Sequence, residues 1–225
     1  MIRRDYIVSM IEEMGRALAQ IRTLRRSGRA ELARQMVDEE CAKLAAMGVA
    51  GILGLSETAL LARVSEGQYA HTVHLRTLAV VALLREAAEI ADGEGKEEEA
   101  RGIYLKALHL LMGVLSQEDP AGFPEFVPGV EAILTALQDK PLPVETQAAL
   151  MRHYEATGQF GKAEDALFSI LDAVGADPEV IGFGRAFYER ILRRSDASLA
   201  GGNLPRDEAE QGLNELIRLS KTKSD

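Results

Sequence analysis

The sequence of 225 residues has a single cysteine, Cys41, no tryptophan and no long hydrophobic run. One cysteine excludes an internal disulfide and a site built from several thiolates, which is typical of proteins in a reducing compartment. The longest uncharged stretch, residues 44–56, is interrupted by three glycines and falls short of the ~20 apolar residues that span a bilayer. It predicts a helix end followed by a linker. Because the N-terminal apolar stretch is also too short for an export signal, we expect a cytoplasmic protein with no membrane segment.

The net charge of the chain indicates which class of partner the protein is expected to bind. The formal net charge is −9, and the chain is 47% hydrophobic and 27% charged, which are the proportions of a folded globular protein. An acidic chain repels the phosphates of nucleic acid, so nucleic acid is not the expected partner of the whole protein.

Apolar residues recur every three to four positions through most of the chain, a spacing that predicts amphipathic helices. Ser56 and Asp177 are typical helix-capping residues, and Pro178 suits a first helical turn. We therefore predict an all-α fold of about nine to ten helices in one helical-repeat domain, residues 1–225. Its expected parts are an N-terminal helix pair with a linker (1–55), a central repeat (56–140) and a C-terminal repeat with capping helices (141–225).

Three breaks between predicted helices share one pattern of small and bulky residues. A glycine ends each first helix, an alanine follows five positions later, and a bulky residue lies four positions beyond the alanine. Glycine accepts the left-handed backbone that ends a helix, and a small alanine lets two helices approach closely. The predicted packing residues are Gly28, Ala33, Gly95, Ala100, Tyr104, Ala107, Tyr154, Gly158, Ala163 and Leu167.

This pattern resembles the tetratricopeptide repeat (TPR), a helix–turn–helix unit, and covers about half of the chain. The sequence departs from the family in lacking the tryptophan of the first helix and a proline that closes each unit. The resemblance implies stacked antiparallel helix pairs in a right-handed superhelix, used as a non-catalytic adaptor or scaffold for protein–protein interaction. The chain also resembles an uncharacterised bacterial family of TPR-like proteins.

No motif in the sequence predicts catalysis, a cofactor or a metal site. The glutamates beside Cys41, at positions 39 and 40, would raise the pKa of its thiol and disfavour a thiolate nucleophile. Gly182 and Gly184 lack the third glycine of a dinucleotide-binding loop. We therefore expect a protein that is not an enzyme and that has no cofactor.

In TPR proteins the first helices of the repeats line a groove that binds an extended peptide or a partner's helix. The resemblance therefore implies a site made of the polar residues on those helices. They are Arg22, Arg25, Arg26, Arg85, Glu89, Arg152 and Glu155. The set is mainly cationic, which favours an acidic peptide or a C-terminal carboxylate as the partner.

The N-terminal arginines also allow other interpretations. Residues 1–34 contain eight arginines against four acidic residues, and such a patch could bind an anionic ligand or nucleic acid. Alternatively, these arginines are solvated, or they pair with the acidic runs 38–40 and 97–99 of the same or a second subunit. The near-heptad spacing of apolar residues in the first helix allows a homodimer seam or packing of that helix on the next one.

Overall fold

The computed structural model describes residues 2–67, 70–117 and 120–222. Within these ranges every regular element is helical and no strand occurs, which confirms the predicted all-α class. A short 3₁₀ turn covers Pro120–Gly122. The α-helices are α1 (Ile2–Arg26), α2 (Ala30–Ala45), α3 (Val49–Leu53), α4 (Glu57–Ser65), α5 (Ala70–Gly93), α6 (Glu97–Leu115), α7 (Val130–Ala136), α8 (Val144–Ala156), α9 (Phe160–Val174), α10 (Pro178–Ile191), α11 (Asp196–Gly201) and α12 (Arg206–Thr222).

The described ranges hold twelve α-helices, more than the nine or ten predicted. Two short helices account for the difference, α11 and α3, and α3 lies in the stretch predicted as a linker. The predicted caps are present, since the side chain of Ser56 accepts a hydrogen bond from the Ala59 amide and that of Asp177 accepts one from the Glu179 amide. Among the described residues, no helix is long and apolar enough to cross a membrane.

The three repeat turns share one backbone geometry. Gly28, Gly95 and Gly158 have φ values of 75°, 75° and 74°, in the left-handed region that favours glycine. In each turn the glycine amide donates to the carbonyl three positions earlier, and the next amide donates to the carbonyl five positions before it. This pair of hydrogen bonds is the Schellman closure of a helix end. The residue after each glycine then begins the next helix with φ between −95° and −90° and ψ between 55° and 64°.

The small residues after these turns are buried. Ala33, Ala100 and Ala163 are at most 3% exposed, and Tyr104 and Leu167 are also buried. Helices α1 and α2, α5 and α6, and α8 and α9 accordingly pack as pairs. Ala107 and Tyr154 are buried as well.

The chain divides into two compact units, Met1–Pro141 and Leu142–Asp225. This boundary lies one residue beyond the predicted end of the central repeat, and the N-terminal helix pair belongs to the same unit as that repeat. In the first unit α5 packs against α1, α2, α4 and α6. Residues 77–84 of α5 are all buried, as expected for a helix that is apolar on every side.

The second unit contains a buried polar contact between two helices. Helix α9 packs on α8 and α10, and α12 packs on α10 and α11. Tyr188 is fully buried, and its hydroxyl donates a hydrogen bond to Glu164 Oε1 at 2.6 Å. Burial raises the pKa of Glu164 above its ordinary value, against the lowering effect of this hydrogen bond.

The raised pKa of Glu164 predicts a pH dependence of stability. The folded protein holds the proton of the Glu164 carboxyl group more tightly than the unfolded chain does. The stabilising contribution of protonated Glu164 is therefore fully present below pH 4.5 and is lost as the pH rises through the pKa of Glu164 in the folded protein. Glu164→Gln keeps an acceptor for Tyr188 but does not titrate. We expect its free energy of unfolding, relative to the wild type, to increase with pH above about 4.5, measured by urea titrations that follow α9 and α10 by hydrogen exchange.

The matched control is Glu189→Gln, which removes an exposed carboxylate from the same unit. A constant difference between Glu164→Gln and the wild type across this pH range would contradict the assignment.

Candidate functional site

Four of the seven sequence-predicted groove residues meet in an ionic cluster between α1 and α5. The Nε atom of Arg22 donates to Glu86 Oε1 at 2.6 Å, and Arg25 lies 3.5 Å from Glu86 Oε2 and also pairs with Glu89. Arg85 contacts Glu89 Oε1 at 2.8 Å from the preceding helical turn. We call these five residues the α1–α5 ionic cluster. Each of its three arginines, all predicted groove residues, therefore has a glutamate partner within the chain.

The centre of this cluster is the residue that sequence reasoning missed. The Glu86 side chain is 1% exposed, and its Oε2 has no hydrogen-bond partner among the described residues. A buried carboxylate requires cations close by, because desolvation penalises an isolated charge heavily. The available signal was its place in α5, where a glutamate interrupts a run of apolar residues that is buried on all sides. The alternative interpretation paired the N-terminal arginines with residues 38–40 or 97–99. Arg34 does contact Glu99, whereas Arg22 has its partner on α5.

The other predicted groove residues lie apart from the cluster. Arg26 is exposed on α1, one position beyond Arg25. In the second unit Arg152 is exposed, whereas Glu155 accepts two hydrogen bonds from Arg190 at 2.7 and 2.8 Å. These contacts leave Arg26 and Arg152 as the solvent-exposed cations of the predicted set.

An apolar cavity of about 470 Å³ opens between α2, α3, α5 and α6 in the first unit. Val37, Ile90 and Ile103 form its buried side and are at most 2% exposed. Leu53 is half-buried and Ala50 is exposed on the α3 side. The remaining lining residues are Arg34, Asp38, Val49, Ala87 and Glu99. This cavity was not among the sites predicted from the sequence, because its α3 wall lies in the stretch that was expected to be a linker.

The polar residues at the cavity hold its walls together. Asp38 Oδ1 accepts a hydrogen bond from the Val49 amide at 2.8 Å, which satisfies the first turn of α3. A Cβ atom on Gly48 would lie 2.6 Å from the same oxygen, so a larger residue there would displace the Asp38 carboxylate from the Val49 amide. Arg34 donates to Glu99 Oε1 at 3.2 Å and also pairs with Glu94, which joins α2 to the start of α6.

A buried lysine joins α4 to α6 at another place in the first unit. Lys106 is 8% exposed, and its Nζ donates to the Leu55 carbonyl and to Glu57 Oε1. Burial opposes ionisation of Glu57, but the backbone hydrogen bond of Glu57 and the charge of Lys106 hold its pKa below the ordinary value. This contact anchors the beginning of α4.

Cys41 is fully buried on α2, and its environment disfavours a thiolate. Burial is the main cause that raises the pKa of its thiol to about 12, and the charges of Asp38 and Glu40 add to the effect. The neighbouring acids in the sequence predict a raised thiol pKa, and the structure adds burial as the larger cause. Within the described residues no group of three or more His, Cys, Asp or Glu side chains could hold a metal ion.

The described residues form an all-α protein of packed helix pairs with an apolar cavity in its first unit. The chain belongs to the DUF6483 family, a family of unknown function, which it matches over residues 1–221. Comparison with curated proteins and with solved structures gives no match. The resemblance to TPR proteins stays a prediction.

The ionic cluster predicts that its two sides respond differently to substitution. Arg22→Met leaves the buried Glu86 carboxylate with Arg25 as its nearest cation. Breaking a fully buried pair costs ~3–5 kcal/mol, and because Arg22 is one-third exposed we expect a loss of about 2–3 kcal/mol. Glu86→Met instead removes the buried charge and lets Arg22 turn to water, so the expected change is within about 1 kcal/mol.

Hydrogen exchange of α1 and α5 peptides at increasing urea concentration measures these free energies of opening. Arg26→Met, an exposed arginine on the same helix, is the control and should leave them within about 0.5 kcal/mol of the wild type. Equal losses for Arg22→Met and Glu86→Met would contradict the role of Glu86 as the buried charge.

Proposed function

We propose that the protein is a non-catalytic adaptor that binds a segment of a partner protein at the apolar cavity of its first unit. The observation that carries this proposal is the cavity itself, with seven apolar residues among its ten lining residues. In this proposal the helix pairs are TPR-like and the protein acts in the bacterial cytoplasm.

The anatomy of the site favours a protein segment over a small molecule. Small-molecule sites combine an apolar lining with a few polar groups that orient the ligand from within. Here the polar lining residues are Arg34, Asp38 and Glu99, and each is engaged with another part of the wall. The buried polar atoms without a partner in the described chain belong to Arg25, Arg76 and Glu86, none of which lines the cavity. An apolar centre with a charged rim is typical of protein–protein interfaces.

The contacts that the polar lining residues make with the cavity wall also support a non-catalytic role. A general acid or base must be able to reach a bound group with its proton. The carboxylate of Asp38 caps α3, and that of Glu99 pairs with Arg34. The rest of the lining is aliphatic and has no chemical group that takes part in acid–base or nucleophilic catalysis.

The size of the cavity indicates how much of a partner it could bind. An engineered apolar cavity of about 150 Å³ holds one benzene ring, so about 470 Å³ has room for two or three apolar side chains. Side chains at positions i and i+3 or i+4 of an amphipathic helix are grouped in this way. We therefore expect the bound segment to be a helix with adjacent apolar residues.

The cavity replaces the cationic groove as the better-supported site in the first unit. Arg22, Arg25 and Arg85 already have glutamate partners within the chain, so binding of an acidic peptide there would have to disrupt the α1–α5 ionic cluster. Access to the apolar centre of the cavity leaves this buried cluster intact, because the exposed Ala50 and half-buried Leu53 lie at its α3 side.

The proposal is tested by selecting displayed random peptides of about 16 residues, ~24 Å long as a helix, on the full chain. Leu53→Gln replaces an apolar lining residue without changing the net charge. We expect enriched peptides with apolar residues at i and i+3 or i+4, which bind Leu53→Gln at least about tenfold more weakly than the wild type by fluorescence anisotropy.

Val174→Gln is the matched control, because Val174 is an exposed apolar residue of the second unit. Binding to this variant should equal binding to the wild type. If no peptide is enriched, or if the enriched peptides bind Leu53→Gln as tightly as the wild type, the proposed function is wrong.

A further inference from the structure

The rim of the apolar cavity carries more negative than positive charge. Asp38 and Glu99 line the cavity, and Glu94 pairs with Arg34 beside it. The cations in contact with these carboxylates are Arg34 and Lys96, whose Nζ lies 2.8 Å from Glu94 Oε2. Three carboxylates against two cations leave a net charge of −1 around the apolar centre.

Glu99 belongs to an acidic first turn of α6, in which Glu98 pairs with Lys140 and neither of these two residues lines the cavity. The first turn of the helix contains Glu97, Glu98 and Glu99, which suits the positive end of the helix dipole. Acidic groups clustered beside an opening attract cationic ligands and repel anionic ones. The surroundings of the cavity are therefore complementary to a basic partner.

Arg34 occupies the position that a partner's cation would take. Its guanidinium contacts two carboxylates, those of Glu94 and Glu99, at the edge of the cavity. The side chains of this trio are 27–43% exposed, and ion pairs so close to solvent contribute little to stability. Exchange of Arg34 for an incoming lysine or arginine would therefore cost little.

An acidic segment fits this rim poorly. Its carboxylate would become the fourth at the site, and Arg34 is already shared between two. The Lys96 contact and then the charge of Arg34 hold the pKa of Glu94 below its ordinary value, so this carboxylate is ionised at neutral pH.

We infer that the partner segment carries lysine or arginine beside its apolar residues, and that these cations displace Arg34 from Glu94 and Glu99. This inference rests on the proposed function, since it concerns the same cavity. It assigns Arg34 as an internal competitor of the partner rather than as a contact to it. The apolar residues of the segment fill the cavity, and the basic residues beside them select the partner by charge.

The probes are synthetic versions of the most enriched displayed peptide, with its flanking positions made all lysine, all glutamine or all glutamate. We expect the lysine peptide to bind most tightly and to weaken as salt increases. Glu99→Gln should weaken its binding about two- to fivefold, the range of a single exposed ion pair. Arg34→Gln should strengthen it by a similar factor, because the competing cation is gone.

The matched control for Arg34→Gln is Arg26→Gln, which makes the same charge change on an exposed arginine that does not line the cavity. Circular dichroism of each variant checks that its helical content equals that of the wild type. A purely structural role of Arg34 predicts weaker binding of every peptide in Arg34→Gln, whereas competition predicts stronger binding of the lysine peptide alone.

The failures of the two proposals are distinguishable. Peptides that bind through Leu53 but prefer glutamate or glutamine flanks would overturn the inference and leave the adaptor function standing. Binding of the lysine peptide to Arg34→Gln that is no stronger than its binding to the wild type would also overturn the inference. If no peptide depends on Leu53, both proposals fall.

Discussion

The middle of helix α5 has no side that faces water, and the first unit is organised by the need to cover it. Residues 77–84 are buried without interruption, and α1, α2, α4 and α6 surround the helix. A helix that is apolar all round is stable in water only when its neighbours exclude solvent from every face. The polar residues that α5 does contain must therefore find partners on those neighbours. Glu86 meets this condition through Arg22, at the C-terminal end of α1.

The covering helices can approach closely because the turns that connect them share one construction. Gly28, Gly95 and Gly158 reverse the chain with the same backbone geometry, and an alanine five positions later lies buried on the preceding helix. A larger side chain at that alanine would separate the pair and leave voids beside it, which a close-packed interior does not tolerate. The same turn occurs in both units, so local chain geometry produces the helix pair independently of what surrounds it.

The pairing within the α1–α5 ionic cluster explains why the cavity, rather than the arginines of α1, is the candidate site of the first unit. Arg22 and Arg25, which had suggested a binding groove, pair with glutamates of α5, so we propose the cavity as the recognition surface of the first unit. That surface forms where the five-residue α3 and the small Ala87 leave the space between α2, α5 and α6 unfilled. Its rim is joined by solvent-exposed ion pairs, which can exchange partners at low cost. The buried helices of the first unit thus support a cavity rim whose ion pairs can exchange partners.

Ten of the twelve described α-helices, the caps at Ser56 and Asp177 and the three glycine turns could be predicted from the sequence, because each depends on residues a few positions apart. Helix α3 could not, since its first turn is capped by the Asp38 carboxylate from another helix, 11 residues away. The partnership of Arg22 with Glu86 joins residues 64 positions apart, and only the packing of α1 on α5 brings them together. The cavity is likewise a property of four helices at once. Periodicity tells which side of a helix is apolar, and only the assembled helices decide whether that side meets a neighbour or an open space.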